Sequence, residues 1–409
     1  MMTLALALPM WLTAGAVDIS QDVTEPEQEI SDSVSTQKSK KGLVGRLHQV
    51  RQYLDSAAFR KVDPRYIEVP KKPWRIILRE KENMVDVDYK SYFEQPGTTE
   101  TMDWQMRFEP PVAASIGLWV GYRGTGISLS KSLTKNAGRY FSISSTGAKY
   151  GFNFRLRRFS TSDVTLSSTD YRDGKVVEEM TIDTATYAPV WIRSVYVNAY
   201  YVFNGRRYSQ AAAYNQSVIQ RRSAGSFLAG ATWYQSSFDY SDRMNVIYVL
   251  LSNNIGRIKV HQANIGFGYG YNFVPFRGFV INAMAMPTLS VYNRVKVYKY
   301  DCNFDLSPKE EKDDYGAFDP ETRKWENGKE YKSAFMIKDD DKAYYWDAGE
   351  ETEHSMFQLN LDLRLGMAYN WKDFFVGVQA QFNNFKYKKD RSKVNIYDAY
   401  ARFSLGMRL

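Results

Sequence analysis

From Phe357 to Tyr369 the chain alternates without a break. One parity reads Phe357, Leu359, Leu361, Leu363, Leu365, Met367 and Tyr369; the other reads Gln358, Asn360, Asp362, Arg364, Gly366 and Ala368. Side chains alternate faces along a strand, so this segment has one apolar and one polar face. Strands of soluble sheets usually run to about 5–6 residues. This run is longer, as a tilted membrane-spanning strand must be. After a turn at Trp371–Asp373 the pattern resumes, with Phe374, Val376, Val378, Ala380 and Phe382 set against Gly377, Gln379, Gln381 and Asn383. The final stretch sets Tyr397, Ala399, Ala401, Phe403, Leu405, Met407 and Leu409 against Asp398, Tyr400, Arg402, Ser404, Gly406 and Arg408. A chain that finishes on an amphipathic strand fits a sheet closed by its last strand, though such strands often end on an aromatic residue rather than Leu409.

The same pattern recurs upstream. Ile265, Phe267, Tyr269, Tyr271 and Phe273 share one face, while Gly266, Gly268, Gly270 and Asn272 share the other. The glycine spacing is not a nucleotide-binding fingerprint, since no helix follows. It leaves room for something to pack on that face. A strand from Phe279 to Tyr300 carries Pro287, where a bulge or kink is expected because proline cannot donate to a ladder. Further strands are expected at 74–89, 112–122, 125–133, 146–158, 161–170, 190–204 and 226–239, about twelve in all. Short turns near Gly124, Ser160, Pro275 and Lys372 fall on one side. Long connections at 90–111, 171–189, 240–257 and 301–354 fall on the other, as in outer-membrane barrels. The expected fold is therefore all-β: a transmembrane, antiparallel, up-and-down barrel of about 12 strands spanning 71–409, with both termini in the periplasm.

The polar parity would face the lumen, making Asn360, Asp362, Arg364, Gln379, Gln381 and Arg402 candidate lumen-lining residues. An Asp362–Arg364 charge pair would favour a packed lumen over an open pore. One segment breaks the turn rule. Residues 205–225 are long where other turns are short, and they concentrate Arg206, Arg207, Arg221 and Arg222. The segment would either plug the lumen or pack on the periplasmic rim.

Composition adds to this picture. Of 409 residues, 15% are aromatic, including 30 Tyr and 23 Phe, a density suited to membrane interfaces. No mature stretch is long and apolar enough for a transmembrane helix. The net charge of +8 is not gathered on one motif, so no nucleic-acid partner is expected. The single cysteine, Cys302, forms no internal disulfide, and with three histidines the chain has too few soft ligands for a metal cluster. No cofactor is expected. At the N-terminus, residues 1–16 read as a signal peptide, with an apolar Leu4–Leu12 and a small-residue Ala14-Gly15-Ala16 site, although a basic start is missing. Residues 17–41 read as a flexible linker. Within 42–70, a periplasmic helix and connector, Leu43, Leu47, Val50 and Leu54 share a helical face. The acidic loop 301–354 lacks calcium-loop spacing.

An enzyme would need a base beside a nucleophile. His48, His261 and His354 are the only bases of that type, and no G-x-S-x-G elbow frames a serine. The chain is therefore read as a non-enzyme, a passive pore or an envelope scaffold. Lipid hydrolysis by a barrel-wall Ser/His pair is the alternative. Outer-membrane lipid and an envelope protein are the expected partners.

Residues Tyr200-Tyr201-Val202-Phe203-Asn204, Tyr208-Ser209, Ala212-Ala213, and Gln220 with Ser223-Ala224-Gly225-Ser226 resemble a motif of the Bacteroidetes domain of unknown function 4421 family. The likeness extends to Asp63-Pro64-Arg65-Tyr66-Ile67, Trp74, Gly268-Tyr269-Gly270-Tyr271-Asn272 and Pro287. It implies a secreted outer-membrane barrel and brings no established activity. With it, Arg206, Arg207, Tyr208, Ser209, Gln220, Arg221, Arg222 and Ser223 become candidates for a periplasmic functional motif.

Overall fold

The computed structural model describes residues 59, 61–94, 99–108, 112–133, 138–252, 254–302, 318–319, 324–325, 345–355, 357–389 and 392–409. All belong to the second of the chain's two units, Gln49–Leu409. The expected leader, linker and helix at 42–58 lie outside the described residues, as does most of the acidic loop.

Fourteen strands form one antiparallel sheet: β1 (Trp74–Glu94), β2 (Glu100–Phe108), β3 (Ala113–Tyr122), β4 (Thr125–Ser132), β5 (Arg139–Thr146), β6 (Tyr150–Arg172), β7 (Lys175–Val202), β8 (Ala224–Asp239), β9 (Ile255–Phe273), β10 (Phe279–Cys302), β11 (Tyr345–Ser355), β12 (Leu359–Trp371), β13 (Phe374–Lys389) and β14 (Ser392–Arg408). Twelve of them close into a ring. β3 to β10 follow one another, β10 pairs β12, and β12, β13, β14 and β1 lead back to β3. Closure removes every sheet edge within the ring, which a spanning sheet in lipid requires.

The expected count of about 12 holds, but two elements differ from expectation. No turn occurs near Ser160. β6 runs straight through it, and its pairing with β7 shifts between Thr161 and Asp163, where the partner jumps from Val190 to Ala185. Pro189, which has no N–H to give, lies in the stretch of β7 that is skipped. The strand β5 was not foreseen; it is short, and its alternation rests on Phe141 and Ile143 alone against Tyr140, Ser142, Ser144 and Thr146. The bulge on β10 is displaced as well. Register with β9 is the same on both sides of Pro287, and the shift falls at Val291, between the pairs Ala263/Tyr292 and Asn264/Ser290. The expected outer loops also hold structure. β2 lies inside 90–111, most of 171–189 is β7, and a short helix α2 (Val246–Leu251) lies inside 240–257.

The long strands β1, β9 and β14 change character along their length. In the inner part, apolar side chains point out: Ile76 and Leu78 on β1, Phe403 and Leu405 on β14, Ile265 and Phe267 on β9 are exposed. Arg79, Ser404 and Asn264 point in. In the outer part the faces exchange roles. Val85 and Val87, Ile396 and Val394, Val260 and Ile258 point in and are buried. Aromatic rings ring the inner margin, with Trp74–Tyr122, Phe227–Phe267, Phe276–Phe279 and Tyr369–Trp371 in contact at 5.0–5.7 Å between centroids. Trp233 and Tyr292 stack at 5.8 Å at the outer margin. An apolar belt between two aromatic girdles is the outward face of a membrane barrel.

Above the belt the ring narrows. β3, β4 and β5 stop, and β2 alone bridges β1 to β6 (Val87–Glu94 and Val164–Arg172). Barrel diameter falls with strand number, so side chains can meet across the interior. Val87, Trp104, Phe108, Ile192, Tyr234, Phe238, Tyr387 and Ile396 form one core there, with Val246 and Val249 of α2 packed in from the outer connection. Asn245 pins α2 by bonding both the N–H and the C=O of Ala188 at 2.9 Å.

Candidate functional site

Beneath the dry outer core, the lumen at the level of the belt is polar and mostly cationic. The alternation of β1 sends Arg75, Ile77, Arg79 and Lys81 inward, opposite Trp74, Ile76 and Leu78. β6 sends in Arg155 and Arg157, β12 sends in Asp362 and Arg364, and β14 sends in Asp398, Arg402 and Arg408. Among the described buried residues here, Arg75, Arg79, Lys81, Arg155, Arg364 and Arg408 face only two carboxylates, Asp362 and Asp398.

Both carboxylates are taken. Asp362 accepts two bonds from the guanidinium of Arg364, at 3.0 and 2.6 Å. Asp398 accepts from Arg157 at 3.1 Å and lies 3.7 Å from Arg155. The other cations lean on neutral acceptors and rings. Lys81 Nζ sits between the faces of Tyr140 and Tyr400, at 3.8 and 4.3 Å from their centroids. Arg75 and Arg79 both lie over Trp119, each at 4.9 Å. Ring faces attract cations, but they do not neutralise them.

The inner third is filled by the β7–β8 connection, which enters the lumen as a plug. Its short helix α1 (Ala211–Tyr214) is built on three fully buried alanines, the residues that take least space inside a closed ring. Gly270 of β9 receives it, while Gly266 and Gly268 face Met286 and Thr288 of β10. A Cβ at Gly270 would overlap the Tyr208 hydroxyl, and Gly366 and Gly377 likewise face Ala213 and Gln216. Polar side chains of the wall hold the plug's backbone. Asn272 Nδ2 donates to the Ser209 carbonyl at 2.9 Å and to Gln220 Oε1 at 3.0 Å, and Asn282 Nδ2 donates to the Tyr208 hydroxyl at 3.0 Å. Gln379 Nε2 donates to the Ala213 and Tyr214 carbonyls at 3.0 and 2.7 Å. Arg75 donates to the Asn215 carbonyl, and Arg408 to the Gln216 carbonyl at 3.0 Å.

The candidate lumen residues all point inward. Asp362, Arg364 and Gln381 meet in one cluster, since Gln381 Nε2 also reaches Asp362 at 3.3 Å. Gln379 and Arg402 meet at the Tyr214 carbonyl. Asn360 stands apart, bonded to Asn264 at 3.1 Å and to the Lys386 backbone N–H at 2.9 Å. The candidate motif divides in two. Tyr208, Ser209 and Gln220 are buried inside the plug. Ser223 accepts from the Val274 N–H at 2.9 Å and ties the plug's exit to the next turn. Arg206, Arg207, Arg221 and Arg222 are exposed on the rim at the inner end of the barrel. There Arg207 and Arg222 flank Tyr66 at 5.1 and 6.0 Å, and Arg221 pairs with Glu68 at 2.8 Å. On the same rim Arg65 binds Asp63 and lowers its carboxyl pKa to about 2. His261 and His354 do not face the lumen. Their rings lie with Trp233 and Tyr292 at the outer girdle.

Residues 62–408 match the family described as Domain of unknown function (DUF4421). The chain belongs to this family. No curated protein matches it. Among solved structures, it is similar to the outer membrane protease OmpT from Escherichia coli, at 12% identity over 82% of this chain and 97% of that one, with a TM-score of 0.38. It is also similar to the translocator domain of autotransporter NalP from Neisseria meningitidis (10% identity, 89% and 94% covered, TM-score 0.30). A third is the Pseudomonas putida toluene transporter TodX (8% identity, 83% and 90% covered, TM-score 0.24).

Sequence reasoning on this DUF4421 chain missed the cations of β1 and β6. The signal was present: Arg75, Arg79 and Lys81 recur at even spacing opposite Trp74, Ile76 and Leu78. It is the alternation of the last strands, written with arginine and lysine in place of asparagine and glutamine.

Proposed function

We propose that this protein is a closed barrel of the outer membrane, exported by a cleaved leader, that serves as an anchored envelope scaffold rather than as an open passive pore. One observation carries this: side chains fill the lumen at every level, as the plug, the cationic polar layer around the Asp362–Arg364 pair and the outer apolar core. Water-filled pores keep a polar, hydrated interior, and an apolar core across the outer half removes that path. The periplasmic rim then becomes the working surface. Arg206, Arg207 and Arg222 are exposed on a rigid base there, which suits an acidic envelope partner. No catalytic role is proposed for His261 or His354.

Planar-bilayer recording tests the proposal. Protein that migrates heat-modifiably, and is therefore folded, is expected to insert without stepwise conductance. Discrete, reproducible steps from such protein would overturn the closed-barrel assignment and restore the pore.

A further inference from the structure

The lumen contains a cavity of about 60 Å³ between the plug and the wall, with Arg79, Arg364, Arg402, Ser142, Ser144 and Tyr400 among its lining. No carboxylate lines it. Arg364 is neutralised by Asp362, but Arg79 and Arg402 are not paired with any acid among the described residues. Arg79 is 5% exposed, and among the described residues its Nε has no hydrogen-bond partner. Arg402 Nε and Lys81 Nζ, the latter held against the Tyr400 ring, are likewise unpartnered among the described residues. Buried cations are normally paired, because leaving them without a counter-charge is strongly unfavourable. Here uncompensated guanidiniums, serine hydroxyls and a small cavity converge on one point.

We propose that this cavity binds a tetrahedral dianion, phosphate or sulfate, between Arg79 and Arg402, with Ser142 and Ser144 donating hydroxyl hydrogen bonds. Two unneutralised guanidiniums match two negative charges, and planar donor forks suit oxyanion edges. The volume admits a free ion of this size. The site stands on the lumen geometry and does not depend on the scaffold role.

Equilibrium dialysis of the folded, detergent-solubilised full chain tests it, with radiolabelled phosphate and sulfate in separate arms at constant ionic strength set by choline chloride. Wild-type protein is expected to bind one ion per chain saturably, and the arm with the tighter isotherm identifies the ion. Arg79→Met is expected to weaken binding about thirtyfold or more, as truncation of one partner of a buried charge pair does. It should also melt no lower than wild type in anion-free buffer, because it removes an unpaired charge. A second variant, Ser142→Ala with Ser144→Ala, keeps every charge and should weaken binding by a smaller factor. It covers the case in which Arg79→Met fails to fold. Absence of saturable binding in both arms, or binding unchanged by these variants, would overturn the site.

Discussion

At the residue scale, the most constrained position is a glycine. Gly270 faces the lumen where the Tyr208 hydroxyl lies, and that hydroxyl is fixed by Asn282. Gly270→Ala should therefore destabilise the folded barrel by about 1–3 kcal/mol, as overpacking does. Tyr208→Phe removes the clashing atom. The double variant should be more stable than the sum of the single effects predicts, which denaturant unfolding in detergent can measure. Additive losses would mean that the plug is not seated against β9. Here the sequence was legible in part. The glycines announced that something packs on their face, but not that it is Tyr208. That residue comes from a connection about sixty positions earlier, and no local pattern records such a meeting.

At the element scale, long strands with many alternating pairs were readable, and short or Ser/Thr-rich ones were not. β12, β13 and β14 separate Leu, Val and Phe from Asn, Gln and Arg, so their parity is plain in the text. β5 is short, with only Phe141 and Ile143 to mark its apolar face, and was missed. The Ser/Thr-rich stretch around Ser160 imitates a turn, yet it is paired on β6. The outer arms of β6 and β7 end in a hairpin with Asp173 and Gly174 at φ +51° and +72°, the two-residue turn suited to twisted strands. Residues 175–183 of β7 are exposed throughout. This hairpin should be the outermost described element. Trypsin added to intact cells is expected to cut at Arg172 or Lys175 and to leave a barrel that still resists unfolding. Cleavage there only after the outer membrane is permeabilised would reverse the assigned orientation.

At the scale of the whole molecule, the exchange of apolar and polar faces along the long strands fixes the height of the membrane. Its inner half is a lipid-facing barrel with a polar filling, and its outer half is a water-facing barrel with an apolar filling. Sequence reasoning followed parity and overlooked this exchange, because it treated each apolar face as lipid-facing along its full length. Position on a strand should therefore decide the effect of a charge. Leu365, 58% exposed in the belt, replaced by Arg should cost about 2–4 kcal/mol in lipid vesicles. The same change at Val177, equally exposed at 58% on the outer arm of β7, should alter stability far less, because its surroundings are already aqueous. Equal losses at the two sites would place the membrane elsewhere. The strands that meet to close the ring, β1 and β14, also carry Arg75 and Arg408, whose guanidiniums grip neighbouring carbonyls of the plug. The seam and the plug thus share one latch. A ring zipped shut before residues 204–223 had entered would strand both guanidiniums in an empty bore, so correct insertion of the middle of the chain is a condition for joining its first strand to its last.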